Sequence, residues 1–498
     1  SHTTDLLDER YQLMPNQRIP ELDSSLAQAF AVTDKESDDA LYGLALPSGI
    51  PYRQKTIKAL QSIKHAHFVS CVADGVVKLS TSGNLQKVVV LERPKGTPLS
   101  QLLEERGKPF PEQFILRSIL APLNEIIQEL QKHSINHGRI NLDTIYMDGD
   151  RLMLGECISE PSGHSQHFLF EPLERAMAQP LGKGSGDASG DCYALGVLAS
   201  LLARGKDPFS PLGEKDYLEQ LLERGSYAML TQKHEFSDAL QDVLRGALND
   251  NRQERWTTTQ FTKWLKGKRY NLIPPASQKE ATRPIMFLEQ EFFSRKALAN
   301  SLYLHPESGH QILQDNKLER WAELGLHQRE TAQRLARLID AAIGESPQGK
   351  RMQFLLARTI ITLDPEGPVR VGSIAANIDG LGKILAAAFR DQSQDTITDA
   401  AQIIQNDLPS YWSDSQTAPE SSEIAAVLWK IQKIQRHLRY TSLGFGMERY
   451  LYDMNPFLPC QSKLVKPYHV EDARGMLNTL EALAKDKHAS DPPIDRHI

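Results

Sequence analysis

The chain has few cysteines, no marked excess of charge of either sign and no long apolar run. Four cysteines occur in 498 residues, Cys71, Cys157, Cys192 and Cys460. They form no Cys-x-x-Cys pair and sit in apolar stretches, where a thiol serves as a small hydrophobe. That pattern suits a reducing compartment, and a cytoplasmic location is expected. Lys and Arg number 57 against 63 Asp and Glu, a net charge of -6. No overall basic excess is available to hold a phosphate backbone, although a local patch can hide in the average, so nucleic acid is not expected as a main partner. No apolar run reaches the roughly 18 residues that cross a bilayer, so no membrane span is expected. The opening Ser1-His2-Thr3-Thr4-Asp5 lacks the basic and apolar pairing of a signal peptide, and Ser1-His2 reads as the remnant of a cleaved tag.

What is present is an ordinary folded composition, 40% hydrophobic and 24% charged. The length suits roughly two to four domains. Two stretches punctuate the chain: Ile273-Pro274-Pro275-Ala276-Ser277-Gln278-Lys279, and Leu408 to Ser422 with its Pro, Ser, Asp and Thr. Before the first, short β-like runs (Ala40 to Leu46, Gly75 to Leu79, Lys87 to Leu91) give way to helical patterns from about Pro111. After it nearly everything reads as helix: Ser294 to Leu304, Glu307 to Leu324, Arg329 to Ile343, Gly349 to Leu363, Gly380 to Asp391, Thr396 to Asn406, Glu423 to Thr441 and Val470 to Ala484. No repeat of fixed period is found there. The fold class expected is α+β. Its parts would be a strand-rich lobe over 1–94, a helical lobe over 95–272, a linker over 273–285 and a helical domain over 286–498 with an internal loop at 408–422.

The segment His137-Gly138-Arg139-Ile140-Asn141-Leu142-Asp143-Thr144-Ile145 resembles the protein-kinase catalytic loop, which runs His-Arg/Gly-Asp-Leu-Lys-Pro-Glu-Asn-Ile. Other segments fall around it in the kinase order. Leu60 to Val69, with Lys64-His65-Ala66-His67, resembles the end of the regulatory helix of the small lobe and the turn after it. Val88-Val89-Val90-Leu91-Glu92 resembles the strand before the hinge, and Gly96-Thr97-Pro98-Leu99 the start of the helix after it. Phe170-Glu171-Pro172-Leu173-Glu174-Arg175 resembles the end of the activation segment, with Glu174 in place of the Ala-Pro-Glu glutamate. Asp191-Cys192-Tyr193-Ala194-Leu195-Gly196 resembles the opening of the central helix of the large lobe, and Ala247 to Trp256 the segment whose arginine, here Arg255, pairs with that glutamate. The resemblance covers about half the chain and implies a two-lobed protein-kinase-like fold from about 20 to 270.

It also divides the residues by role. His137, Glu174, Asp191 and Arg255 match positions that hold the fold together. An ion pair between Glu174 and Arg255 would be costly to break, and Asp191, expected to cap its helix, would accept hydrogen bonds from catalytic-loop amides. The positions that would touch ATP, magnesium or the transferred proton have changed. Tyr42-Gly43-Leu44-Ala45 puts Ala45 where the phosphate-binding lysine belongs, and Thr56 stands near the position of its glutamate partner. Leu22 to Val32, in place of the phosphate-covering loop, has no glycine. Arg139 replaces the catalytic base and cannot take up a proton, Thr144 replaces the metal-binding asparagine, and Glu156 is the single carboxylate where Asp-Phe-Gly belongs. No kinase-type phosphoryl transfer, no metal and no cofactor are expected.

Other features have plain structural readings. Glu156 is read as solvated or paired with a cation such as Arg139 rather than as a metal ligand. Asp143 is read as structural, His65 and His67 as part of a turn, and the glycines of Gly182 to Asp191 as a flexible loop entering a helix. In the second half, Asp364 to Arg370 and Asp379 to Lys383 flank a short extended stretch. Arg439, Tyr440, Phe445, Arg449, Tyr450 and Tyr452 form the densest mix of aromatics and arginines, either a hot spot for a partner or core packing. The function expected is that of a non-catalytic pseudokinase, a scaffold or regulator for protein partners or a second copy of itself. One alternative is a kinase-fold transferase with other chemistry, using Glu156, Asp143, Arg139 and Lys55. Another gives ligand or partner binding to the helical half.

Overall fold

A computed structural model describes residues 3–485 and 494–498. Ser1 and His2, which read as a tag remnant, lie outside the described residues. The class is α+β. Strands β1 (Leu6–Leu7), β2 (Tyr11–Arg18), β3 (Ala29–Asp34), β4 (Leu41–Ala45), β5 (Cys71–Lys78) and β6 (Leu85–Glu92) form one sheet in the order β1-β2-β3-β4-β6-β5. All pairs are antiparallel. Helix α1 (Gln54–Ser62) connects β4 to β5. In β6 the run Val88 to Leu91 is apolar without alternation because both faces are covered. Val89 and Leu91 join the core that includes Ile57 and Leu60 of α1, while Val88 and Val90 join Phe30, Val32 and Leu41 on the other face.

The larger lobe begins with β7 (Thr97–Pro98) and α2 (Leu99–Arg106), which ends on Gly107 in the left-handed conformation that glycine adopts freely. A π-helical stretch, Phe114–Leu120, runs into α3 (Ala121–Lys132). Pro122 explains the change of register: it has no N–H for the carbonyl of Ser118, and next to it the N–H of Ala121 reaches back five residues to Leu116. Strands β8 (Ile145–Asp148) and β9 (Arg151–Leu154) form a hairpin beside β7 and bring the loop before β8 against the turn after β9. A short α4 (Leu173–Ala176) precedes α5 (Ala188–Arg204), which is apolar on nearly every face and almost wholly buried. Helices α6 (Glu214–Arg224), α7 (Ser226–Thr231), α8 (Asp238–Ala247) and α9 (Thr258–Leu265) complete the lobe.

The second half is helical, as expected, with two short hairpins that helical periodicity does not reveal. These are β10 (Ile285–Phe287) with β11 (Gln290–Phe292), and β12 (Val369–Val371) with β13 (Ile374–Ala376). Its helices are α10 (Arg295–Leu304), α11 (Pro306–Ile312), α12 (Lys317–Leu324), α13 (Arg329–Ala342), α14 (Lys350–Leu363), α15 (Leu381–Arg390), α16 (Gln394–Gln405), α17 (Leu408–Asp414), α18 (Ser422–Gln435), α19 (Met447–Met454) and α20 (Ala473–Lys485). The helix expected over Glu307 to Leu324 is broken between Ile312 and Lys317. The stretch expected as a loop from Leu408 starts with α17, where Pro409 sits in the first turn, the helix position that tolerates proline. One buried core runs from the small lobe through α5 into α10 to α14, and a second lies around α15, α16 and α18.

Candidate functional site

The loop before β8 is held from beneath by Asp191. Its carboxylate accepts the backbone N–H groups of His137 and Gly138, both at 2.8 Å. The helix cap is not Asp191 but Asp187, whose side chain accepts the N–H of Ser189; Asp191 lies one turn inside α5. Burial pushes the Asp191 carboxyl up to about 6, against the pull of those two N–H donors. His137 is buried, and loss of solvent drives its pKa down to about 3, so the ring is neutral. Its Nδ1 accepts the N–H of Arg139 at 3.1 Å, which leaves Nε2–H to donate to the carbonyl of Gly155 at 2.9 Å. At the start of α1, Arg53 donates to the carbonyls of Asn136, His137 and Cys157 and so ties both loops to the small lobe.

Above this frame stands a closed ionic network. Arg139 reaches Glu156 at 2.9 Å and Glu160 at 3.4 Å, and both carboxylates are buried. Glu156 also accepts the N–H groups of Ile158 and Ser159 and the hydroxyl of Ser159, at 2.7, 2.9 and 2.6 Å. Burial would raise its pKa, but Arg139 and these donors outweigh it and hold the carboxyl below its usual value. Glu160 accepts the hydroxyls of Ser165 and of Ser25, each at 2.7 Å. Ser25 belongs to the glycine-free loop between β2 and β3, so that loop is tied down onto the larger lobe. The space left between Arg53, His137, Cys157 and Glu160 to Ser165 is a cavity of about 10 Å³, room for about one water molecule.

The remaining candidates separate. Thr144 is buried and its hydroxyl donates to the carbonyl of Arg139 at 2.7 Å, closing the loop on itself. Ala45 ends β4 opposite Val88, and Thr56 is buried in α1. Asp143 and Lys55 are exposed and do not join the Arg139 network. His65 and His67 face each other with ring centres 5.7 Å apart, and among the described residues no three His, Cys, Asp or Glu side chains gather as a metal site. Glu174 and Arg255 form a two-pronged pair at 2.7 and 3.1 Å, with the Arg255 side chain fully buried. Burial disfavours the guanidinium, yet Glu174 more than compensates and raises its pKa.

The glycine-rich stretch before α5 is a docking edge for the second half rather than a loose loop. The N–H of Gln179 donates to the carbonyl of Ala375, and the N–H of Asn377 to the carbonyl of Gly182, each at 2.8 Å. The Asn377 side chain reaches the carbonyl of Lys183 at 2.9 Å, and the N–H of Ser185 donates to Asp379 at 2.8 Å. Behind the β12–β13 hairpin, Asp364 sits between Lys296 and Arg370 at 2.8 and 2.9 Å, with its own side chain and that of Arg370 fully buried. Burial raises the Asp364 carboxyl, but the two cations bring it down to about 2. A second contact lies at the far end, where Gln461 donates to the carbonyl of Ser48 at 2.8 Å and Tyr52 meets Glu471.

The aromatic and arginine cluster divides between core and surface. Tyr450 is fully buried, and the Tyr452 hydroxyl accepts the N–H of Gln461 at 2.9 Å. Phe445 packs against Tyr440 and His437. Tyr440 is 58% exposed, and Arg439 and Arg449 also face solvent. Residues that sequence reasoning missed include Ser25, Arg53, Glu160 and Gln179. Each acts through a partner more than 80 positions away, a relation that no local pattern carries. In comparisons with known proteins, no family model matches the chain, and no curated protein matches it significantly.

Proposed function

We propose that residues from about 20 to 270 are a protein-kinase-like fold that has lost its chemistry, and that the chain is a non-catalytic scaffold or regulator for cytoplasmic protein partners. The observation that carries this reading is the Arg139, Glu156 and Glu160 network. The residue in the place of the catalytic base is a cation, and the single carboxylate in the place of the metal ligand is already neutralised by it. Phosphoryl transfer depends on charge neutralisation and positioning, and these side chains spend their charge on one another. The loop that would cover phosphate is fastened through Ser25 instead. Support for a role kept for shape comes from the bracing groups, Asp191 under the loop and Glu174 against Arg255. The second half, docked on the edge from Gln179 to Ser185, makes the two halves one platform.

The test is thermal unfolding with ATP and either magnesium or manganese. No metal-dependent shift of the transition is expected. Binding to the folded state alone must raise it, so a clear metal-dependent increase overturns the non-binding reading.

A further inference from the structure

We propose that a groove between α13, α14 and α16 binds a small phosphorylated organic anion with an apolar or planar body. The groove has a volume of about 400 Å³, within the size range of small-molecule sites. Its lining brings three cations together, Lys350, Arg351 and Arg358 of α14, with no carboxylate among the lining residues. Lys350, Phe354 and Arg358 follow at intervals of four and therefore lie on one face of the helix. The buried ring of Phe354, with Leu355 beside it, forms an apolar floor between the charges, and Gln402 and Asn406 line the facing wall.

The charges are incompletely answered within the protein. Lys350 has no carboxylate within ion-pair distance among the described residues. Arg351 meets Glu345 at 2.7 Å outside the lining, on an exposed side of the groove. Arg358 donates from Nη2 to the carbonyl of Asn406 at 3.1 Å, while its Nε is buried without a protein acceptor. A buried donor left without an acceptor is costly, and like charges without a counter-charge repel one another. An anion with several acceptor oxygens answers both, and arginine's fork matches phosphate geometry. The floor selects for a body beyond the phosphate itself. This placement is separate from the Arg139 network, and the binding needs no divalent cation.

The experiment uses the full chain and three probes at matched ionic strength: phenyl phosphate, inorganic phosphate and chloride. Calorimetry gives the affinity and thermal unfolding the stabilisation. Phenyl phosphate is expected to bind saturably and to raise the unfolding temperature by about 1.5 °C at ten times its dissociation constant. Inorganic phosphate should bind at least tenfold more weakly, and chloride should have no effect. K350Q, at an exposed position, and R358Q should each weaken phenyl phosphate at least tenfold, whereas R439Q outside the groove should not. No saturable binding of phenyl phosphate, or binding unchanged in K350Q, overturns the proposal. A nucleotide shift that is independent of metal and lost in K350Q belongs to this groove; one that needs metal and survives K350Q counts against the reading of the Arg139 network instead.

Discussion

Replacing Arg139 by Met tests whether its network is structural. The change removes the cation paired with Glu156 and Glu160, whose side chains are 5% and 3% exposed. Stranding a buried charge by deleting its partner costs about 3 to 5 kcal/mol. Glu156 keeps three hydrogen bonds and Glu160 two serine hydroxyls, so the lower end, about 3 kcal/mol, is expected. The sign of the pH dependence follows from Glu156. In the native protein its folded pKa lies below the usual value; without Arg139 burial acts unopposed by a cation and lifts it above the unfolded value. A raised carboxyl favours the protonated folded form, so the variant should lose stability as pH rises through the interval between the unfolded and the new folded pKa. Urea unfolding followed by tryptophan fluorescence at pH 5 and pH 8 should therefore show a deficit at least about 1 kcal/mol larger at pH 8. Adding E156Q to R139M should recover about half of the loss, because it removes one stranded charge. A deficit under about 1 kcal/mol, equal at both pH values, would refute the reasoning and leave Arg139 free to serve a ligand.

Asp364 should contribute about 2 kcal/mol of stability at neutral pH, since its carboxyl lies near 2 in the fold against 3.8 in the unfolded chain. That contribution is lost as pH falls from about 4 towards 2, so the gap between the native protein and D364N in acid titrations should close over that window. Gly184 has φ +75° and faces the carboxylate of Asp379, so G184A should cost about 2 kcal/mol at the docking edge. Hydrogen exchange of Ile374 to Ala376 should then speed up about 30-fold, and unchanged protection would show that the edge does not hold the hairpin. A double-mutant cycle on Glu174 and Arg255 should give a coupling of at least about 2 kcal/mol, with E174A alone costing about 3 kcal/mol or more. Coupling under about 0.5 kcal/mol would mean that the pair does not brace the lobe.

Much of the local architecture is legible in the order of residues alone. Lys87 to Leu91 and the helical patterns from about Pro111 announce a strand and a helical region, because burial imposes its period on consecutive residues. The kinase resemblance also sets Glu174 opposite Arg255, which lie 81 positions apart and meet at 2.7 Å. Periodicity carries α18 too far, since Arg436 to Thr441 keep helical composition but not helical structure. The proline and serines from Leu408 hide α17, because Pro409 is tolerated in a first turn. The cap of α5 falls four residues before Asp191, and residue identity does not distinguish the two positions, because Asp187 and Asp191 both precede its apolar run.

By itself the sequence determined the α+β class and the order of strands before helices. Those are properties of neighbouring residues and of residue identity. Only the tertiary structure decided that Arg139 spends its charge on Glu156 and Glu160, that Ser25 fastens the loop above them, and that Gly182 to Ser185 receives the hairpin of the second half. Such pairings join residues 17 to 195 positions apart. Their energy comes from shared burial, which raises the cost of every unpaired charge, and burial of that kind exists only once the chain has folded.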